Sequence, residues 1–261
     1  MTPDIEVASL SFAYPGGRLA LDDVSFTLAG DERVGLVGPN GAGKTSLFLC
    51  LTGVLTPRSG SVRVGGLDVR DPAQRKRLPG RVGIVFQDSD DQLFSASVGD
   101  DVAFGPLNLG LSPEEVHQRV GEALARVGMT GHEDRVPFHL SGGEKRRVAL
   151  AGVLAMHPAV LLLDEPTRFL DPRGRRELAA LLPMLPGAKL VATHDLEFVV
   201  ATCSRVLVLD AGRLVAEGST REVLADAELM ERHGLEVPWS LRGGDSTPPP
   251  FLKRRGEGER G

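Results

Sequence analysis

The stretch Gly38 to Thr45, Gly-Pro-Asn-Gly-Ala-Gly-Lys-Thr, satisfies the spacing G-x-x-x-x-G-K-[ST] at every defined position. Glycines at 38, 41 and 43 let backbone N–H groups turn inward around phosphate oxygens, and a helix starting there points the positive end of its dipole at the same anion. Lys44 adds a cation for the β- and γ-phosphates of a nucleoside triphosphate, and the Thr45 hydroxyl can ligate Mg²⁺. A plain glycine-rich turn needs neither residue. Ser46 follows with no evident role of its own. The flanks suit the motif: Val34–Val37 is an apolar run, and Leu47, Phe48 and Leu51 give the apolar pattern of a helix.

Three further apolar runs each end in a polar group. Residues 82–86 deliver Gln87 to a strand's carboxyl end, where its amide can reach a metal or a water. Val160–Leu163 ends in Asp164-Glu165, a carboxylate pair that is costly to place there unless it binds a cation or polarises a water. Asp164 suits a Mg²⁺ shell and Glu165 suits the attacking water. Lys189–Thr193 delivers His194, whose imidazole can hydrogen-bond a γ-phosphate. Elsewhere, Ser141 and Glu144 form a capping box while Gly142 and Gly143 leave first-turn N–H groups uncovered, which makes a second anion site. Tyr14 lies in a Pro-Gly-Gly turn, where its ring can stack on a base or pack beneath the turn. The closely spaced Asp88, Asp90 and Asp91 read as solvated loop carboxylates rather than an ion site.

The elements that must hold these groups are legible in outline. Residues 4–10 and 23–28 form a strand pair, Lys44–Gly53 a helix closed by glycine, and Ser61–Val64 a short strand before a Gly-Gly turn. Residues 98–127 are helical, with an apolar face at Val98, Val102, Phe104 and Leu107, a break at Pro106 and Gly110, and a second helix capped by Ser112 and Glu115. The chain has 261 residues, 41% apolar and 25% charged, as a soluble globular protein does. Its 30 basic and 35 acidic residues give −5, which argues against nucleic acid as a partner. Cys50 and Cys203, far apart in apolar surroundings, read as reduced core thiols in a cytoplasmic setting. The N-terminus lacks the pattern of a signal peptide, and no apolar run reaches membrane-spanning length. Past about residue 236 the chain turns to Pro, Gly and charge, which predicts disorder.

Taken in order, Tyr14, Gly38–Thr45, Gln87, Leu140–Glu144, Val160–Pro166, Leu170-Asp171 and Thr193–Asp195 closely resemble the motif set of ABC transporter nucleotide-binding subunits over roughly residues 3–225. The resemblance implies an α/β fold: a P-loop NTPase of ABC type with a RecA-like core, an N-terminal antiparallel β-subdomain and a helical subdomain inserted at about 88–157. One domain spans 3–235, and 236–261 is a tail. It also implies a head-to-tail dimer that sandwiches two ATP molecules. Each lies between Gly38, Pro39, Asn40, Gly41, Ala42, Gly43, Lys44, Thr45 and Ser46 of one subunit and Ser141, Gly142, Gly143 and Glu144 of the other, with Asp171 in the interface loop. In such subunits the Tyr14 position stacks on adenine, Thr45 and Gln87 ligate Mg²⁺ alongside Asp164, Glu165 is the general base and His194 contacts the γ-phosphate. Arg168-Phe169 departs from the small residues usual before Leu170-Asp171.

Residues 86–112 and 193–213 are similar, more narrowly, to ATPases of energy-coupling-factor importers, especially the cobalt and nickel members. That similarity implies three partners: a transmembrane coupling subunit, a substrate-binding membrane subunit and a second ATPase subunit, identical or paralogous. It places the chain peripherally on the cytoplasmic face of the cell membrane, with the stretch after Gln87 toward the coupling helices. Cobalt or nickel is the expected cargo, ahead of a vitamin such as biotin. A DNA-repair ATPase would need a long heptad insertion where about 95 residues without heptads stand. A translation-type protein would carry two motif sets, and a non-hydrolysing regulator would lack Glu165.

Overall fold

Strands made almost wholly of apolar residues need cover on both faces. In the computed structural model, which describes residues 3–242, β7 (Val160–Asp164) and β8 (Ala188–Ala192) are buried along their whole length. They lie inside a six-stranded sheet of order β10-β9-β3-β8-β7-β6, completed by β3 (Arg33–Val37), β6 (Val82–Val85), β9 (Arg205–Asp210) and β10 (Arg213–Ser219). All pairings are parallel except that of β10. The register sets Leu36 opposite Ala192 and Leu207, and Leu163 opposite Val85 and Val191. The loops holding Gly38, Gln87, Glu165 and His194 therefore leave the sheet at one edge.

Alternation along these strands divides the core in two. Leu161 and Leu163 join Val37, Val191 and Val208 in one apolar cluster, while Val160 and Leu162 join Val34, Leu36 and Leu207 in the other. The first is covered by α5 (Gly142–Leu154), α6 (Pro172–Leu181) and α7 (Leu196–Thr202). The second is covered by α1 (Lys44–Leu51) and by an antiparallel sheet of order β2-β1-β4-β5. That sheet consists of β1 (Ile5–Ala13), β2 (Leu19–Leu28), β4 (Ser59–Val64) and β5 (Leu67–Asp68), with Ile5 opposite Leu28 and Val64. Each fully buried leucine is worth about 1.5–3 kcal/mol relative to exposure. Cys50 and Cys203 are free and buried in these cores.

Between β4 and β7 the chain forms α2 (Pro72–Arg75) and then a packed trio, α3 (Val98–Asn108), α4 (Pro113–Arg126) and α5. Both expected capping boxes are present, Ser112 with Glu115 on α4 and Ser141 with Glu144 on α5. Pro106 does not break α3, however, and the helix runs through it to Asn108. Proline removes one N–H, but close packing holds the helix: a Cβ on Gly105 would come within 2.7 Å of the Met156 side chain. The stop comes at Gly110, whose φ of +77 ends the helix in the left-handed region.

Two short helices, α8 (Thr220–Ala225) and α9 (Ala227–Arg232), follow β10. The ordered chain continues beyond the expected boundary at 236, since Val237 and Leu241 pack on the core and Ser240 N donates to Glu197 Oε1 at 3.0 Å. The composition past 236 predicts disorder because Pro, Gly and charge dominate further on, yet the apolar residues Val237 and Leu241 find cover. The expectation for 243–261 lies outside the described residues.

Candidate active site

The phosphate loop is walled by neighbouring backbone. A Cβ on Gly38, at φ +151, would lie 1.9 Å from the Leu209 carbonyl oxygen at the end of β9. One on Gly43 would lie 2.6 Å from the Ala20 carbonyl, whereas at Gly41 nothing stands within 4 Å. Only glycine allows these approaches, and the open side at Gly41 faces a cleft of about 460 Å³. Asn40 to Ser46, Tyr14, Gln87, Asp164 and Glu165 line that cleft. Sequence reasoning missed Arg18, Leu19, Ala20, Ala211 and Gly212, which line it too; they come from the start of β2 and the turn between β9 and β10, with no chemical pattern of their own.

Lys44 Nζ is buried and donates to the carbonyls of Gly38 at 2.6 Å and Pro39 at 3.1 Å. Burial lowers its pKa, against the pull of Glu165 and Asp164. Thr45 Oγ1 donates to Asp164 Oδ2 at 3.1 Å. Burial raises the Asp164 carboxyl above the usual carboxylate range, opposed by that hydrogen bond. A cation lodged between a hydroxyl and a desolvated carboxylate would relieve this cost. A Mg²⁺ that keeps several waters and phosphate oxygens needs no more protein ligands than these, and the donor set fits it. No cluster of three or more His, Cys, Asp or Glu side chains is gathered among the described residues. In the loop after Gln87, Asp90 pairs with Lys145 at 2.6 Å and Asp88 Oδ1 accepts from Asp90 N.

Tyr14 closes one end of the cleft. Its ring packs edge-on against Phe12, centroids 5.0 Å apart, and its hydroxyl shares a 3.0 Å hydrogen bond with Ser46 Oγ. Ser46, which looked idle in the sequence, ties the aromatic ring to the phosphate helix. Gln87 is positioned by Arg146 of α5, whose guanidinium donates to the Phe86 and Gln87 carbonyls at 2.5 Å each. Arg146 is buried, and within the basic run Lys145–Arg147 nothing in the sequence singled it out.

Glu165 sits at φ +44, a left-handed conformation that costs a non-glycine residue about 1–3 kcal/mol. Its N–H donates to Ala192 O, and its carboxylate accepts from Thr193 Oγ1 at 2.9 Å and from the His194 N–H at 3.2 Å. His194 Nδ1 lies 2.8 Å from Glu165 Oε2. The imidazole therefore meets the site through Glu165 and is not itself part of the cleft lining.

Ser141, Gly142, Gly143, Glu144 and Asp171 do not line the cleft. Ser141 Oγ accepts from Glu144 N, and Glu144 Oε2 accepts from Ser141 N at 2.8 Å. The Ser141 hydrogen bonds hold the Glu144 carboxyl below its ordinary range. Asp171 caps α6 through Gly174 N at 2.7 Å. Phe169 is exposed at φ +63, with the Arg168 guanidinium 4.8 Å above its ring and its carbonyl beside Gly142. Among the described residues the candidate phosphate cleft and the exposed helix N-terminus at Ser141 thus lie apart.

Comparison with known proteins agrees with this arrangement. A family model described as ABC transporter matches residues 21–168. The energy-coupling factor transporter ATP-binding protein EcfA of Methanothermobacter thermautotrophicus is 47% identical over 90% of this chain and 76% of its own. The structure of cbiO1 from Clostridium perfringens, described as part of the ABC transporter complex cbiONQ, superposes with a TM-score of 0.80 at 38% identity, over 89% of this chain and 94% of that one. A dimeric ATP-binding cassette, MJ0796, in a post-hydrolysis state with ADP and Pi, superposes with a TM-score of 0.71 at 25% identity, over 83% and 98% of the two chains. With its α/β P-loop architecture and phosphate cleft, this chain belongs to the ABC transporter family as an ATP-binding subunit.

Proposed function

We propose that this chain is the ATP-hydrolysing, energy-coupling subunit of an importer of energy-coupling-factor type, with cobalt or nickel ions as cargo. The observation that carries the proposal is the Thr45–Asp164 hydrogen bond, 3.1 Å long, directly beside the restrained carboxylate of Glu165. In this reading Mg²⁺ would sit next to a proton acceptor. The likeness to EcfA and to cbiO1, part of a transporter complex, supports the importer class. The cargo rests on the similarity of residues 86–112 and 193–213 to the cobalt and nickel members.

ATP with Mg²⁺ supplies the electrophilic phosphorus and its charge neutralisation when bound. In this reading Lys44 and the backbone of Gly38–Gly43 hold the phosphates, Tyr14 stacks on the base, and Thr45, Gln87 and Asp164 orient the metal and its waters. Glu165 takes the proton of the attacking water, and His194 holds that carboxylate in line. The anion site at Ser141–Glu144, with Asp171, serves a second ATPase subunit in a head-to-tail pair. Residues 3–235 act as one ATPase domain, peripheral on the cytoplasmic membrane face, beneath a coupling subunit and a substrate-binding membrane subunit. No helix among the described residues is long and apolar enough to cross a membrane.

Cells carrying Glu165→Gln in place of the native gene are expected to lose uptake of radiolabelled cobalt or nickel. In the purified variant, turnover should fall about 100-fold or more while ATP binding persists. Unchanged uptake of both metals moves the cargo to the vitamin class, and full turnover in the variant removes Glu165 as the base.

A further inference from the structure

Between Thr56 and Arg81 stand Arg58, Arg63, Arg70, Arg75, Lys76, Arg77 and Arg81 against only Asp68 and Asp71. This segment carries +5 in a chain of −5, so the rest of the molecule carries −10. Among the described residues none of the seven cations forms an ion pair with a carboxylate. The two acidic residues are engaged locally: Asp71 accepts from the N–H groups of Ala73 and Gln74 to cap α2, and Asp68 accepts from Arg70 N.

The fold gathers most of these charges. Arg70 Nη2 donates to Pro57 O at 3.0 Å and Arg75 Nη1 to Thr56 Oγ1 at 3.4 Å, which brings both onto the turn that Arg58 follows. Lys76 caps the C-terminus of the same short helix, Arg77 follows it, and both are exposed. An apolar strip adjoins the cluster. Arg75 lies against Gly53, next to Val54, and Gly80 lies against Leu109 at the end of α3. Val54, Leu107, Phe104 and Phe94 are each more than half exposed, and the two phenylalanine rings pack edge-to-face 5.0 Å apart.

Phe94, Phe104 and Leu107 fall in the stretch read as facing the coupling helices, so the unpaired cations beside it stand on the membrane side, where they match the headgroup phosphates of an anionic lipid surface. We propose that the α2 face, centred on Arg70, Arg75, Lys76 and Arg77, docks on anionic phospholipid headgroups. The inference rests on the reading of this chain as a peripheral transporter subunit, and it gives that subunit a lipid contact of its own besides its protein partners. Because the molecule as a whole is acidic, general charge attraction would not produce such binding; a local patch is required.

The test is co-sedimentation of the purified full-length chain with vesicles of phosphatidylcholine alone or mixed equally with phosphatidylglycerol. The protein is expected to pellet with the anionic vesicles only, and less as salt rises. Lys76→Ala with Arg77→Ala should lower partitioning about 25-fold, at about fivefold per lost charge, with basal ATPase activity unchanged. Arg221→Ala, an exposed site on α8, should bind as wild type. Equal binding to neutral vesicles, absence from the anionic pellet, or a double variant that pellets like wild type overturns the proposal. Salt-sensitive binding to a single-stranded oligonucleotide without vesicle binding would assign the patch to nucleic acid instead. The readout needs neither membrane subunits nor cargo, so a failed metal-uptake experiment and a failed vesicle experiment strike separate claims.

Discussion

Asp164 and Glu165 are adjacent carboxylates with opposite supports. Glu165 has its oxygens claimed by Thr193 and His194, while Asp164 is buried with the Thr45 hydroxyl as its hydrogen-bond donor. The raised pKa of Asp164 means that, just above the ordinary carboxylate range, the folded chain keeps a proton that the unfolded chain has released. Stability then falls as pH rises through that window. Asp164→Asn should therefore raise the melting temperature of the nucleotide-free protein by about 2–4 °C at pH 7, for about 1 kcal/mol. The gain should vanish in scans below the ordinary carboxylate range, and the variant should lose the stabilisation that Mg²⁺ with ATP gives the wild type. A neutral-pH melting point equal to or below that of the wild type would show that Asp164 is not desolvated in solution.

The two capping boxes offer an internal comparison, because α4 and α5 begin with the same Ser/Glu geometry. Either serine lost to alanine costs about 1 kcal/mol of stability. Ser112→Ala should lower the melting temperature and leave turnover alone, whereas Ser141→Ala should lower both, measured as unfolding midpoint and as steady-state ATPase rate. Much of the element pattern could be read from the chain: apolar runs ending in Gln87, Glu165 and His194 became β6, β7 and β8, and the Ser-x-x-Glu pairs became caps. The helix through Pro106 could not be read that way, because the approach of Gly105 to Met156 depends on partners distant in sequence. The tie of Ser46 to Tyr14 and the Arg146 clamp on Gln87 escaped for the same reason: each joins segments more than thirty residues apart.

At the scale of the whole molecule, the separation of Ser141–Glu144 from the phosphate cleft makes one copy half a machine in the proposed pairing. Lys44→Ala and Ser141→Arg should each be inactive alone, while a mixture of the two should regain ATPase activity, since one of the two shared sites in a mixed pair keeps both halves. No recovery in gel-filtered mixtures would argue against shared sites. The interior is also chemically quiet: burial pushes the Cys50 thiol up to about 12 and the Cys203 thiol up to about 11. Both should resist thiol-disulfide reagents at pH 8 until the protein is denatured, when two equivalents should react. The contact of Gly38 with the Leu209 carbonyl also bears on how the molecule is made. The phosphate loop emerges from the ribosome early, but the β9 wall that shapes it is synthesised some 170 residues later. A chain arrested before β9 would therefore carry its glycine-rich loop without the Leu209 carbonyl that packs against Gly38 in the finished fold.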